Sequence, residues 1–378
     1  MSMVFSFGQP LLDPARKTGL VLCGMGGPDG PEAVEPFLRN LFRDPAILPM
    51  PKWLGFGLSR MLARRRAPAV RLRYAAISPD SASPQLQTTT EQALELARRM
   101  NLAGDHSSLP TDVPPRGQVV GGVAMRYWHP FPKEAIAQLL DQGVEQFLVV
   151  PTYPQFAGAT TGSTLEFVRK GVESLAPAAT VHEVVDWHML PGYLQALAEP
   201  VSAAVTGWMG MGADPKECAV VYVAHSLPEK FIERGDPYLD QVNASVEGAS
   251  RRVETAVFEQ DRQGFLADMS FRNSDSKTRV AFQSKVGPIK WLGPEVTREV
   301  GRLANAGCRR LFVQPISFTC EHVETLHELD IELRDIAAGL GIEDFARGPA
   351  LNLHPGWLDS LASELTATAF EPEVGAHV

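Results

Sequence analysis

Short β-rich stretches, most of them apolar on consecutive positions, recur along this chain: TGLVLCG, GQVVGGVAM, EQFLVVPTY, ATVHEVV, CAVVYVAH, RVAFQS and RRLFVQPISF. None is long enough to cross a bilayer. A strand with one face in water alternates apolar and polar residues, whereas consecutive apolar positions require burial on both faces. Between these runs lie helix-patterned segments such as TTTEQALELARRM, KEAIAQLLDQG and EVTREVGRLANAG, the last two closing on a glycine stop. Strands alternating with helices in this way predict parallel sheets covered by helices on both faces. The pattern runs through roughly 18–185 and restarts near 217, with DWHMLPGYLQALAEPVSAAVTGWM reading as a crossover helix. The expected fold is therefore α/β, with two similar doubly wound, parallel-sheet halves.

A chain of 378 residues is long for one core and suits two domains. Its net charge of −9 supplies no general field for nucleic acid. Cys23, Cys218, Cys308 and Cys320 form no C-x-x-C pair, so neither a zinc ribbon nor a thioredoxin-like redox site is suggested, and small core residues in a reducing cytoplasm are expected. The opening MSMVFSFGQPLL lacks the basic start and long apolar region of a signal peptide. Two segments break the rhythm: 101–118 reads as a connection, and the polar 259–279 as a surface loop or short hairpin.

Ligands in doubly wound sheets bind beyond the carboxyl ends of the strands, so the residues just after each apolar run carry the functional weight. The first run leads into GMGGPDG, which lacks the Lys-Ser/Thr of a P-loop and is interrupted by Pro28; a tight turn admitting a flat ligand, with Met25 beside it, is the expectation. The second gives MRYWHP, a cation followed by large flat faces. The third gives PTYPQFAGATTGST, uncharged throughout and suited to a cleft wall. CAVVYVAH places His225 at a strand end. The last gives SFTCEHVETLHELD, where Glu321, Glu324 and Glu328 would share one helical face, and where dipole-favoured acidic residues in a first turn would account for Glu321. The string is not H-E-x-x-H, so a zinc peptidase is not indicated.

These segments together, AHSLPEKFIERGDPY, QSKVGPIKWLGP, FTCEHVETLHELDIE, GMGGPDG and TYPQFAGATTGST, resemble the ferrochelatase family from Gly19 to about Arg347. The resemblance implies two Rossmann-like halves of chelatase type around a porphyrin cleft. It implies an N-terminal half at 17–186, a C-terminal half at 187–347 carrying His225 and Glu324, and a C-terminal helix and tail at 348–378. The implied activity is insertion of Fe²⁺ into protoporphyrin IX, with His225 and Glu324 as catalytic and metal-contacting groups. Met25, Arg65, Arg66, Ser83, Arg126, Tyr127, Tyr153, Trp291 and His322 match residues around the family's pocket, the arginine pair meeting propionates. The partners implied are a porphyrin and ferrous iron as substrates, with no nucleic acid, in a monomer or dimer.

The chain departs from the family's pattern in places. SPDSASP replaces a glycine-rich run, so only Ser83 carries over there. Phe282 stands where Trp is common and Glu321 where Asp is common. Gly158 occupies a position that is a cysteine ligand in animal members, and the tail has no cysteine, so no iron–sulfur cluster and no tightly bound cofactor is expected. Coproporphyrin or cobalt chemistry on the same fold, and a non-catalytic tetrapyrrole or metal carrier, stand as alternatives. Members acting on coproporphyrin often have Tyr at the Met25 position and lack QSKVGP, which favours protoporphyrin.

The chemistry suits the residues. Metal insertion removes two pyrrole protons, and an imidazole kept neutral by burial accepts them near neutral pH. Fe²⁺ takes both imidazole and carboxylate ligands, and apolar walls such as Met25, Tyr153 and Trp291 could bend the macrocycle. Finally, PKWLGFGLSRMLARRRAPAVRLRY at 51–74 contradicts the acidic balance of the chain. Its apolar first half and following arginines fit a peripheral contact with the anionic inner face of a membrane, and an amphipathic helix beside the cleft fits equally.

Overall fold

In the computed structural model the apolar runs become strands of two separate four-stranded parallel sheets. The structure describes residues 9–45, 47, 52–103, 117–261, 264–269, 280–285 and 289–370, with the side chains of 52–55 excluded. Most of the 101–118 connection, 270–279, the last three residues of QSKVGP, the side chains of Trp53 and Leu54, and the last eight residues lie outside it.

The chain divides into one unit comprising Met1–Gly192 with Asn352–Val378, and a second comprising Tyr193–Leu351. In the first unit the strands are β1 (Thr18–Gly24), β2 (Val119–Met125), β3 (Gln146–Pro151) and β4 (Thr180–Glu183), in the order β2-β1-β3-β4. Helices α1 (Val34–Arg43), α2 (Lys52–Ile77) and α3 (Gln85–Ala103) separate β1 from β2; α4 (Pro132–Asp141) and α5 (Ser163–Leu175) follow β2 and β3. Strand alternation splits β1 between two faces. Val21 and Cys23 pack into a core with Ile136 and Leu139 of α4 and Val168 and Val172 of α5. Leu20 and Leu22, equally buried, take the other face, where α3 runs along β1 and β2.

Helix α6 (Pro191–Gly210) begins at the boundary, and the second unit then repeats the plan. Its strands are β5 (Cys218–His225), β6 (Val280–Gln283), β7 (Arg310–Pro315) and β8 (Asp344–Arg347), in the order β6-β5-β7-β8. Its remaining helices are α7 (Glu229–Glu233), α8 (Tyr238–Val257), α9 (Phe265–Asp268), α10 (Val296–Asn305), α11 (Val323–Leu326) and α12 (Arg334–Gly339). Ala219, Val221 and Val223 of β5 meet Val296, Val300 and Leu303 of α10 and Ala337 of α12. Helices α6 and α8 approach closely at Gly248, where a Cβ would lie 2.8 Å from Leu194 Cδ1. Helix α13 (Pro355–Phe370) belongs to the first unit, its Trp357 ring 5.7 Å from that of Trp187.

The repetition extends to local detail. Each central strand bonds past its neighbour's terminal proline, Thr152 N–H to Cys23 O and Ile316 N–H to Val223 O. In each β2-type strand one N–H donates to a proline carbonyl, Met125 to Pro130 and Phe282 to Pro294. By this register Met25 corresponds to His225 and Arg126 to Gln283.

Two expectations need correction. The 259–279 segment is not purely a surface loop, because α9 buries Phe265 and Leu266. An eighth strand, β8, joins the edge of the second sheet.

Candidate active site

The order β6-β5-β7-β8 puts β5 where consecutive connections leave in opposite directions, the place where such sheets open a crevice at their carboxyl ends. His225 is the last residue of β5. Its Nδ1 lies 2.7 Å from the Ser226 carbonyl, to which it donates, leaving Nε2 to face Glu324 Oε1 at 3.5 Å. The side chains are 36% and 25% exposed, so the pair is sheltered yet reachable. Behind it, buried Tyr238 of α8 donates its hydroxyl to the His225 carbonyl at 2.8 Å and lies 3.1 Å from Ser317 Oγ. The turn after His225 is fixed as well: Ser226 N–H donates to Gln283 O, Ser226 Oγ to Leu292 O, and a bridge between Pro228 and Trp291 brings the half-buried Trp291 alongside.

Glu324 is presented by the one-turn helix α11. His322 caps that helix: its Nδ1 accepts from Glu324 N–H at 3.0 Å, and its ring meets Phe318 edge-on at 4.3 Å. Burial lowers the pKa of His322 despite the carboxylates nearby, so the ring is neutral at pH 7. The expected helical face of three glutamates does not form. The helix starts only at Val323, so Glu321 lies before it, ion-paired with Arg347 at 2.8 Å rather than held by a helix dipole. Glu328 lies beyond it, in a wide turn at Glu328–Leu333, where Gln283 Nε2 and Ser284 Oγ donate to its carboxylate at 3.2 and 2.7 Å. Gln283 also donates to the Glu324 carbonyl at 2.8 Å.

Nor does His225 rest neutral. Burial acts to lower its pKa, but the Glu324 carboxylate, the Ser226 carbonyl and the charge of Glu328 outweigh it and push it up to about 9. His322, the other titratable ring nearby, is uncharged and does not oppose this. At neutral pH the pair is thus an imidazolium beside a carboxylate, holding one proton. A raised folded-state pKa contributes stability that is complete below the ordinary histidine value near 6.5 and is lost as pH rises through about 9. We expect His225 to titrate near 9 by NMR in the free protein, and Glu324→Gln to move that midpoint down by more than one unit. A parent midpoint below 6.5 would contradict the pairing.

In the first unit the residues after the strands are engaged with their own chain. Gly26 has φ +80°, and a Cβ there would lie 2.9 Å from Met125 Cβ; at Gly27 it would meet Ser83 Cβ at 2.5 Å. These glycines admit neighbouring side chains, which is reason enough for the glycine run. Met25 and Tyr153 are half-buried. Ser83 N–H donates to Pro28 O, and Ser83 Oγ accepts from Gln85 N–H where α3 begins. Arg126 and Tyr127 converge on Asp44. Arg126 pairs with its carboxylate, Tyr127 donates to it at 2.6 Å, and the guanidinium also reaches Ser163 Oγ and the Ala159 carbonyl. Tyr127 is only 3% exposed. On α2, Arg65 is exposed, whereas Arg66, also exposed, lies over the Phe42 ring at 5.8 Å.

A ferrochelatase family profile matches residues 17–368. The chain belongs to the ferrochelatase family. It is 34% identical over 369 residues to the ferrochelatase of Thermosynechococcus vestitus, covering 96% of this chain and 86% of that one. With the ferrochelatase of Geotalea uraniireducens it shares 34% over 349 residues, covering 92% and 97%. With that of Hyphomonas neptunium it shares 34% over 359 residues, covering 93% and 88%. Membership in the ferrochelatase family makes the chain a metal chelatase, a lyase.

Sequence reasoning missed several groups around this ferrochelatase-family pair. Tyr238 stands in the quoted GDPY with nothing local to tie it to the His225 carbonyl, Gln283 closes β6, and Ser317 follows β7 by two residues. Asp44 is 83 positions from its partner Tyr127, with no local pattern to join them.

Proposed function

We propose that the chain inserts Fe²⁺ into protoporphyrin IX to give protohaem, with His225 and Glu324 handling the protons and the metal. The observation that carries this reading is the half-sheltered His225–Glu324 pair at the carboxyl end of β5, 3.5 Å apart and sharing one proton. The free-base ring must lose two protons as the metal enters. Glu324 offers an anionic oxygen, and Fe²⁺ is a borderline ion that accepts carboxylate as well as imidazole. Metal charge near that carboxylate weakens its hold on the imidazolium proton. That proton passes to solvent, which the partly exposed pair can reach; Nε2 of His225 then takes one pyrrole proton, releases it by the same route and takes the second, with the Ser226 carbonyl keeping the ring in place through Nδ1–H.

In the first unit Met25 and Tyr153 offer apolar surface and Arg65 an exposed cation for propionates; in the second, Trp291 offers apolar surface suited to a macrocycle. Arg126 and Tyr127 act from behind the surface, tying the Gly158–Gly162 turn to Asp44. Ser83 and His322 secure the start of a helix each. The reading includes no bound cluster. Burial pushes Cys218 up to about 12 and Cys308 up to about 11, which favours protonated core thiols over thiolate ligands. Protoporphyrin is favoured by Met25 and QSKVGP. Single-turnover metallation with Fe²⁺ should run faster on protoporphyrin than on coproporphyrin. The reverse ranking would change the substrate, and tight porphyrin binding without metallation would make the chain a carrier.

The membrane contact is part of the same proposal. No helix among the described residues is long and apolar enough to cross a bilayer. On α2, however, Phe56 and Met61 are 62% and 57% exposed, beside exposed Arg60, Arg64 and Arg65. Sedimentation with anionic vesicles should be seen at low salt and fade as ionic strength rises. Phe56→Ser with Met61→Ser should weaken it while turnover on detergent-dispersed substrate persists. Failure of the parent protein to sediment at low salt would overturn the membrane role of α2.

A further inference from the structure

Arg347 ends β8, the strand that sequence reasoning overlooked, and its side chain is 8% exposed. Burying a guanidinium is costly unless all its donors are used. Here its nitrogens go to both sides of the Glu324 segment. Nη1 donates to Glu321 Oε1 at 2.8 Å, while Nε and Nη2 form a fork on the two Asp330 oxygens at 2.8 and 2.5 Å. Glu321 passes the constraint on. Its Oε1 also accepts from Ala350 N–H at 2.9 Å, and its Oε2 accepts from Thr325 Oγ1 at 2.5 Å. Thr325 Oγ1 in turn accepts from His322 N–H at 3.0 Å, and His322 Nδ1 accepts from Glu324 N–H. Glu324 therefore lies between two residues whose positions trace back to one guanidinium, and Asp330 fixes the turn that follows. We propose that Arg347 is a positioning residue for the chelatase reaction: its fork across Glu321 and Asp330 sets where the Glu324 carboxylate stands relative to His225.

This rests on the reading of Glu324 as a participant. A four-residue helix such as α11 has no stability of its own. An external clamp is the means by which so short an element can hold a carboxylate in one place, and small misplacements of reacting groups carry large rate costs. Lysine keeps the charge but offers no planar fork, so it cannot serve both carboxylates in this geometry.

The test compares Arg347→Lys with Trp208→Phe. Trp208 Nε1 donates to Asp344 at the opposite end of the same strand, so that variant disturbs β8 without touching the clamp. Fe²⁺ insertion kinetics, Tm and porphyrin affinity by fluorescence quenching are measured for each. Arg347→Lys should lower kcat on the order of tenfold or more, with KM and Kd for porphyrin within twofold. Trp208→Phe should lower Tm while leaving kcat within twofold. Equal kcat losses at equal Tm losses, or parallel loss of porphyrin affinity, would reduce Arg347 to a structural role and overturn the proposal. Should Arg347→Lys fail to fold, Glu321→Ala and Glu321→Gln carry the same comparison. Gln retains an oxygen for Arg347 and Ala350, so kcat should be substantially rescued relative to Ala, and no difference between them overturns the proposal. Glu324→Gln in parallel separates the two ideas: a near-normal rate there removes Glu324 from the reaction, whereas a large loss there with a normal Arg347→Lys rate removes only the clamp.

Discussion

His225→Ala is expected to slow iron insertion by about 100-fold or more, the scale on which loss of a positioned general base is felt. Porphyrin affinity should change far less. The imidazole is a partly exposed terminal side chain of β5, and the strand's packing rests on the buried residues before it, Val221 and Val223 among them. Tyr238 bonds to the backbone carbonyl of position 225, and Ser226 N–H and Oγ bond to Gln283 O and Leu292 O, so the turn keeps these contacts and loses only the ring's bond to the Ser226 carbonyl. A folded variant that metallates within threefold of the parent would take the proton chemistry away from His225.

Glu324→Gln should be of comparable size, on the order of 100-fold in turnover with the fold intact. The substitution preserves shape and the N–H that caps onto His322, while removing the negative charge that holds the His225 proton. Two effects should then appear together: slower chelation, and an imidazole that titrates at lower pH. Stability should also change in its pH dependence. The parent loses the contribution of the pair as pH climbs toward 9, and the variant, lacking the attraction, should show a flatter profile over that range. Glu321→Gln serves as the counter-test. Glu321 is committed to Arg347, Thr325 and Ala350, and Arg347 keeps its carboxyl below the usual range against the effect of burial. Near-normal turnover in Glu324→Gln with a dead Glu321→Gln would mean that the acting carboxylate is the other one.

What the sequence discloses follows from the range of the forces involved. Strands β1 to β7 were legible because burial on both faces writes itself into consecutive residues. Strand β8 was not: DFAR carries two charges in four residues, and as an edge strand it needs no apolar run. His225 was legible as a polar residue ending an apolar strand. Its charge was not, because that is set by Glu324, ninety-nine positions on, and no local pattern reports a carboxylate brought in by tertiary structure. The helical face of glutamates failed for a local reason. Histidine is an unusual N-cap, and nothing in CEHVET announces that the helix waits until Val323. Arg126 and Tyr127 were legible as important but not as inward-facing, since Asp44 lies in a different part of the chain.

The matched register of the two sheets makes the ends of the two central strands equivalent positions, and those positions hold Met25 and His225. The thioether cannot take up a proton; the imidazole can. The neighbouring positions have diverged in step: Arg126, drawn to Asp44, stands where its counterpart Gln283 supports the Glu324 carbonyl and Glu328. The two sheets thus offer two equivalent mounts, of which the one at the end of β5 carries a side chain with acid–base capacity. Placing a histidine at position 25 would therefore restore the letter of the symmetry without its function, for the first unit offers Asp44, already claimed by Arg126 and Tyr127, and among its described residues no counterpart to the clamped Glu324.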